Sequence, residues 1–185
     1  MIWDEKDLPV INKAADACVQ LIIDSLTDER GVHLETAINM AGSLAGVSIL
    51  RSAVQSEKIN LTELIRTKAG SPVFIEKVND IGTEVSQFMI AFCKPMGINP
   101  ATGWNQDIPA DNQPHRKAVD LVRDYEKPFT DLMDKQTLRP ELRPFAGGLA
   151  AIKLVKLGVK MLNPEVGKAI ALMAVVSSSK TIPST

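Results

Sequence analysis

TAINMAGSLAGVSIL, residues 36–50, is the stretch that decides the fold, because it holds no charged residue in fifteen positions and is dominated by small side chains. At 100° per residue, its alanines fall on one stripe of a helix, and Gly42 and Gly46 fall on a second stripe. No face is left for water. The pattern therefore predicts a helix over about residues 33–55 that is buried on every side.

The glycine pair has two interpretations. Gly42 and Gly46 form a G-x-x-x-G motif, which in a longer apolar segment would indicate a pair of membrane helices. The uncharged run between Glu35 and Arg51 is too short to span a bilayer comfortably. We therefore expect a core helix and no integral membrane segment. Two interior glycines destabilise a helix by about 1 kcal/mol each relative to alanine, and close packing of neighbouring helices would offset that loss.

The rest of the chain also shows helical spacing of apolar residues. Five further helices are predicted, over residues 9–26, 79–94, 115–133, 145–162 and 164–177. Pro128 should kink or split the predicted helix over 115–133. The expected fold class is mainly α: one helical domain over residues 1–185, a bundle built around the Ala/Gly-rich helix at 33–55.

Three segments interrupt this helical pattern. Residues 59–75 fit a short helix that opens with a capping box, or a β-hairpin over about residues 64–75, and their Val, Ile, Phe and Thr content favours the hairpin. Residues 95–114 form a long Pro/Gly-rich loop, which is typical of a lid, a packed loop or disorder. Residues 178–185 are polar and predict a flexible tail.

Composition limits the class of partner. The chain has 21 basic and 22 acidic residues and a formal net charge of −1, so the electrostatic footprint of a nucleic-acid-binding protein is missing. Its first residues are acidic and do not resemble a signal peptide. Cys18 and Cys93 lie among apolar residues, as small core residues do in a reducing compartment. These features predict a cytoplasmic protein of bacterial type that does not bind nucleic acid.

Motifs for common chemistry are missing from the sequence. There is no glycine-rich phosphate loop and no nucleophile elbow, and the two histidines, His33 and His115, are too few for a histidine-rich metal site. His33-Leu34-Glu35 matches the H-x-E that opens the zinc deaminase signature, but the P-C-x-x-C that completes it is absent. We therefore expect no metal and no cofactor.

Carboxylates are the remaining candidates for catalysis. Glu35 is the last charge before the apolar stretch, where it either meets the positive end of a helix or, if buried, serves as a functional acid. Asp120 and Asp124 share a helix face at i, i+4 and could gather around His115. The neighbouring arginines make a solvated, ion-paired face the simpler interpretation.

Trp104, His33 and His115 are the candidates for ligand binding. A tryptophan within a Pro/Gly-rich loop either anchors the loop to the core or forms a wall of a ligand site, and the area that an indole buries favours the anchor.

Three segments resemble a group of uncharacterised bacterial proteins. The segment 33–46, HLETAINMAGSLAG, resembles that group's H-x-E…G-x-L-A-G helix. The segment 67–79, TKAGSPVFIEKVN, is similar to its T-K-x-G…Y/F…N segment, and 179–183, SKTIP, matches its end. The resemblance implies a mainly helical fold with a small ribbon, favours the hairpin, and implies no activity and no site residue.

Two functional hypotheses remain. The first is a non-catalytic helical protein, a homodimer that acts through an interface or binds a small apolar ligand. The alternative is a small enzyme that uses Glu35, or Asp120 and Asp124, beneath a lid formed by the loop around Trp104. The many small and aliphatic residues, the scarcity of histidine and the absence of catalytic motifs favour the first hypothesis. Helical bundles can hold apolar molecules between their helices, so an apolar-ligand carrier is a variant of it.

Overall fold

A computed structural model describes residues 2–59 and 71–183 of the chain. Within these residues the chain forms six α-helices around one hydrophobic core and no β-strand, so the mainly α fold is confirmed. The helices are α1 (Leu8–Leu26), α2 (Leu34–Ser56), α3 (Glu76–Cys93), α4 (Ala118–Lys135), α5 (Arg143–Leu157) and α6 (Pro164–Ser179).

Helix α2 lies at the centre of the bundle and packs against all five other helices. Every residue from Thr36 to Leu50 is buried, as the uncharged stretch predicts. Among the described residues, α2 is the one helix long and apolar enough to cross a membrane, and 89% of its most apolar window is buried inside the protein. That burial supports the core-helix interpretation, because the other helices already cover the faces that lipid would need.

The two glycines of α2 let α6 approach until the backbones touch. A Cβ on Gly42 would lie 2.6 Å from the carbonyl oxygen of Ala171 and 2.8 Å from the Cβ of Ala174. One turn later, a Cβ on Gly46 would clash with the carbonyl of Val175. Residue numbers rise together along both helices, so α2 and α6 run parallel. The predicted close packing is confirmed, and the Cα–H groups of the glycines face carbonyl oxygens of α6.

A second helix approaches α2 with the opposite direction. Gly147 of α5 faces Ala45 of α2, where an added Cβ would lie 3.0 Å from the Ala45 Cα, and Gly158 at the end of α5 faces Leu34 at the start of α2. Helix α5 therefore runs antiparallel to α2, and small residues again set the distance.

The C-terminal segment differs from the predicted flexible tail. Ser178 and Ser179 complete α6, and Ile182 is buried. The Val73 N–H donates to the Lys180 carbonyl at 2.8 Å, and the Ile182 N–H donates to the Ser71 carbonyl at 2.9 Å. The prediction is therefore wrong for residues 178–183, because Ile182 gives the segment an apolar anchor and the 71–73 backbone gives it hydrogen-bond partners.

Two further expectations concern proline and the hairpin. Helix α4 continues through Pro128 without splitting. Proline has no N–H to donate to the backbone carbonyl one turn earlier, but its ring is exposed, so water can donate to that carbonyl instead. The predicted hairpin over residues 64–75 falls largely on residues 60–70, outside the described residues. Of its described residues, 71–73 pair with the C-terminal segment through an isolated bridge between Pro72 and Thr181.

Replacement of Gly42 by alanine should destabilise the protein, because the new methyl group would overlap the backbone of α6. We expect Gly42→Ala to lower the free energy of unfolding by about 1–3 kcal/mol, measured by urea denaturation followed by circular dichroism. Gly82→Ala in α3 is the matched control, since nothing lies within 4 Å of its added Cβ. It should raise the free energy of unfolding by up to about 1 kcal/mol. Equal effects of the two substitutions would contradict the close approach.

Candidate functional site

The N-terminus of α2 brings together three of the predicted site residues, His33, Glu35 and His115. The two imidazole rings stack with their centroids 3.4 Å apart and their planes at 25°. The Nε2 atom of His33 lies 3.5 Å from Oε2 of Glu35. Asn112 donates from Nδ2 to Oε1 of Glu35 at 3.0 Å, and the Glu35 side chain is only 13% exposed. The sequence predicts these three residues as site candidates, and the fold brings them into contact.

His33 is the N-cap of α2, and this role fixes its tautomer. Its Nδ1 accepts a hydrogen bond from the Thr36 N–H at 3.3 Å and lies 2.8 Å from Thr36 Oγ1. Thr36 Oγ1 in turn accepts from the backbone N–H of His115 at 2.9 Å. The threonine hydroxyl therefore donates to Nδ1, and the proton of the neutral ring sits on Nε2, facing Glu35.

These contacts fasten the segment 110–117 across the start of α2. The Asn39 side chain adds one more, donating from Nδ2 to the carbonyl of Arg116 at 2.9 Å. These hydrogen bonds, the ring stack and the Asn112–Glu35 bond connect residues that lie almost eighty positions apart in the chain. The segment leads directly into α4, so this docking sets where α4 begins.

The environment of His33 disfavours its charged form. Burial lowers the pKa of His33, Glu35 opposes this by favouring the imidazolium, and the stacked ring of His115 lowers the pKa further. Protonation would also place a proton on Nδ1, which serves as the helix cap, and a positive charge at the positive end of the α2 dipole. Neutral His33 is therefore the form that holds the segment in place.

The stacked pair is poorly arranged to bind a metal ion. The lone pairs of an imidazole lie in the ring plane, so two rings stacked at 3.4 Å cannot both direct a nitrogen at one cation. In the part of the chain that the structure describes, no group of three or more His, Cys, Asp or Glu side chains could hold a metal.

Asp120 and Asp124 are engaged by arginines. Nη1 of Arg123 lies 3.0 Å from Oδ1 of Asp120, and its Nε lies 2.8 Å from Oδ1 of Asp124. Arg116 also pairs with Asp124. Hydrogen bonds from Arg123 and then from Arg116 lower the pKa of Asp124, which keeps this carboxylate ionised. The geometry supports the ion-paired face over a catalytic pair around His115.

Trp104 is tied to the body of the protein. Its indole N–H donates to the carbonyl of Pro100 at 2.8 Å, and its ring lies 5.4 Å from Nζ of Lys168. Lys168 is fully buried in α6, and its ammonium donates to the carbonyls of Asn99 and Thr102. A buried cation that bonds two loop carbonyls and an aromatic face fixes the loop. This geometry fits the anchor interpretation of Trp104 and does not fit a mobile lid.

A cavity of about 300 Å³ lies apart from these candidates, between α2, the start of α4, the end of α6 and the C-terminal segment. Its buried apolar lining comes from Val47, Val122 and Ile182. The rest of its lining comes from the two chain segments that meet there: Lys117, Ala118, Val119, Ser177, Ser178, Thr181 and Pro183.

The polar end of this cavity lies at the start of α4. No side chain caps the N-terminus of α4, and within the described residues the N–H groups of Ala118 and Val119 have no acceptor. Beside it, the Oγ of Ser178 is inaccessible and therefore does not face the open space of the cavity, and it has no hydrogen-bond partner among the described residues, although buried hydroxyls nearly always have one. Ser43 is the other buried serine of this kind, and it is not part of the cavity lining.

Sequence reasoning missed this cavity because its lining carries no motif. The residues come from four separate parts of the chain and, apart from Lys117 and Thr181, are small or apolar, as core residues are. The one available signal was Lys117 at a helix start, where a Ser, Thr, Asp or Asn cap is the preferred residue.

Comparison of the chain with models of protein families, with curated proteins and with solved structures finds no match. The resemblance to the group of uncharacterised bacterial proteins therefore stays a prediction.

The lowered pKa of His33 predicts that acid weakens the fold. Below about pH 6.5, the ordinary pKa of histidine, the unfolded chain takes up a proton that folded His33 does not, so the free energy of unfolding falls until the lower folded pKa is reached. His33→Asn keeps a good helix cap and removes the titration. We expect the wild type to lose more stability than His33→Asn between about pH 7.5 and pH 5.5, measured by urea denaturation. Losses of equal size would contradict the assignment.

Proposed function

We propose that the protein is a non-catalytic binding protein that holds a small, mainly apolar molecule in the cavity lined by Val47, Val122 and Ile182. The observation that carries the proposal is the cavity itself: about 300 Å³, with buried aliphatic side chains on one side and a few polar groups at one end. This combination is typical of ligand pockets, and its volume is at the small end of their range.

The lining supports binding over catalysis. Of the described residues that line the cavity, none is a carboxylate, a histidine or a cysteine. The alternative, an enzyme that uses Glu35, or Asp120 and Asp124, beneath the Trp104 loop, has less support. The Glu35 carboxylate accepts a hydrogen bond from Asn112 and lies beside His33. The two aspartates are paired with arginines, and the Trp104 indole is hydrogen-bonded within its loop.

A side chain that fills the cavity should abolish binding. Val119 lies at its rim, and Val119→Trp should weaken the binding of 1-hexanol by at least about tenfold, because the indole would occupy the space of the ligand. The measurement is a titration followed by ¹H–¹⁵N NMR, in which the wild type should show shifts at the amides of Val47, Val122 and Ile182.

Val159→Trp is the matched control for this experiment. Val159 is partly exposed and lies outside the cavity lining, so the same change in size should leave the binding of 1-hexanol unaltered. Shifts that persist in Val119→Trp, or that never reach the lining of the wild type, would refute a site in this cavity.

We also propose that a second copy of the chain pairs with the first through the outer face of α6. Met173 is 55% exposed and Val176 is 44% exposed, and with Leu172 they form an apolar ridge without a charged residue. Grooves flank the ridge on both sides, one against α3 and one against the Trp104 loop. In a two-fold arrangement each ridge can enter a groove of the other copy, which is how helices pack.

A charge placed on the ridge should separate the two copies. We expect the wild type to have the mass of a dimer in light scattering coupled to size-exclusion chromatography, and Met173→Glu to have the mass of a monomer, because a buried unpaired carboxylate is strongly unfavourable. Met161→Glu is the control, since Met161 is 81% exposed outside the ridge and its substitution should leave the dimer intact. A monomeric wild type would overturn this proposal.

A further inference from the structure

We propose that the turn between α5 and α6 is a docking surface for an anionic phospholipid bilayer. This inference goes beyond the proposed binding function and does not depend on the cavity. Two observations carry it. Three apolar side chains of this one turn are exposed to water, and the lysines beside them form no ion pair among the described residues.

The apolar tip of this turn consists of Leu157, Val159 and Met161. Leu157 is 64% exposed, Val159 is 39% exposed and Met161 is 81% exposed, whereas Gly158 and Leu162 are buried. The two buried residues fasten the turn to the body of the protein, with Gly158 packed against the start of α2. The turn therefore holds its apolar side chains outward at one end of the bundle. Exposed apolar patches with a polar rim mark sites that bind proteins or membranes.

Exposed lysines flank the apolar tip. Lys156 precedes it and Lys160 lies within it, and neither forms an ion pair in the part of the chain that the structure describes. The Nζ of Lys156 would lie 3.6 Å from a Cβ on Gly97, so the turn that carries a third exposed lysine, Lys94, adjoins the tip. The chain has a net charge of −1, so this positive surface is a local feature.

The sequence on both sides of the tip is free of carboxylates. No acidic residue occurs between Glu141 and Glu165. Glu165 accepts a hydrogen bond from the hydroxyl of Thr102, and Asp16 of α1 pairs with Lys153, one turn before the tip. The lysines at the tip can therefore meet the phosphate groups of lipids without breaking an ion pair of the protein.

A bilayer surface fits this arrangement better than a second copy of the chain does. In a two-fold pairing through the tip, the same lysines of both copies would face each other, which is unfavourable. In a bilayer, the apolar tip can enter the boundary between headgroups and acyl chains, while the ammonium groups of the lysines reach the phosphates. Charge complementarity thus selects an anionic lipid surface.

Sedimentation with sucrose-loaded vesicles tests the proposal. We expect the wild type to bind vesicles of equal parts phosphatidylglycerol and phosphatidylcholine at least about tenfold more tightly than vesicles of phosphatidylcholine alone, because each lysine near an anionic surface contributes about fivefold. Added salt should weaken the binding, since it screens exposed charges.

Two double variants separate the charge from the apolar contact. Lys156→Gln with Lys160→Gln should weaken binding to the anionic vesicles by at least about tenfold. Leu157→Ser with Met161→Ser should weaken it by at least about fivefold, because the apolar side chains would no longer enter the bilayer. All four residues are exposed, so urea denaturation should show both variants to be folded like the wild type.

Matched controls make the same chemical changes far from the tip. Lys127→Gln with Lys135→Gln removes the same charge from α4, whose last turn is joined to the start of α5 by an ion pair. Phe74→Ser removes a side chain that is 93% exposed and lies beside the end of α6. Neither control should change the binding to anionic vesicles.

Three results would overturn the proposal. The first is a wild type that does not sediment with anionic vesicles, and the second is binding that either double variant at the tip leaves unchanged. The third is an equal loss of binding in the controls. Absence of vesicle binding, together with a lower mass of Leu157→Ser with Met161→Ser in light scattering, would assign the tip to a contact between two copies. None of these results bears on the binding of 1-hexanol, so the proposed binding function is tested separately.

Discussion

The contact between the glycines of α2 and the backbone of α6 is the constraint on which the rest of the structure depends. Gly42 and Gly46 let the two helices lie parallel at a distance that no larger residue allows. Because α6 is fixed there, its inner face places Lys168 beneath the Trp104 loop and Ser178 beside Val47. The loop, the C-terminal segment and the cavity all take their positions from this one helix pair.

Sequence predicts the centre of this protein better than its periphery. The uncharged stretch around Gly42 predicts a buried helix because every face of it is apolar. The start of α6 is also predictable from local sequence, because Asn163 is a favoured N-cap residue and Pro164 a favoured first residue of a helix. The paired C-terminal segment could not be predicted, because its stability comes from the backbone of residues 71–73, which lies more than a hundred residues away. Local polarity alone indicates a frayed end.

The same distinction separates the site residues. His33, Glu35 and His115 were identifiable as unusual side chains, but their stacking depends on a segment that returns to α2 almost eighty residues later. The cavity could not be predicted from the sequence, because its lining residues are not unusual. Val47, Val122 and Ile182 resemble every other core residue in sequence. Only the gap between the middle of α2, the start of α4, the end of α6 and the C-terminal segment distinguishes them.

The histidine stack and the cavity are joined by one short piece of chain. His115 and Arg116 are held on α2 through Thr36 and Asn39, and the next two residues, Lys117 and Ala118, form the polar end of the cavity. Any loosening of the stack therefore reaches the start of α4 within two residues. Because protonation of His33 opposes its role as helix cap, acid acts on the stack, the start of α4 and the cavity together. Helix α2 thus positions both ends of the cavity, the apolar one through Val47 and the polar one through Thr36 and Asn39.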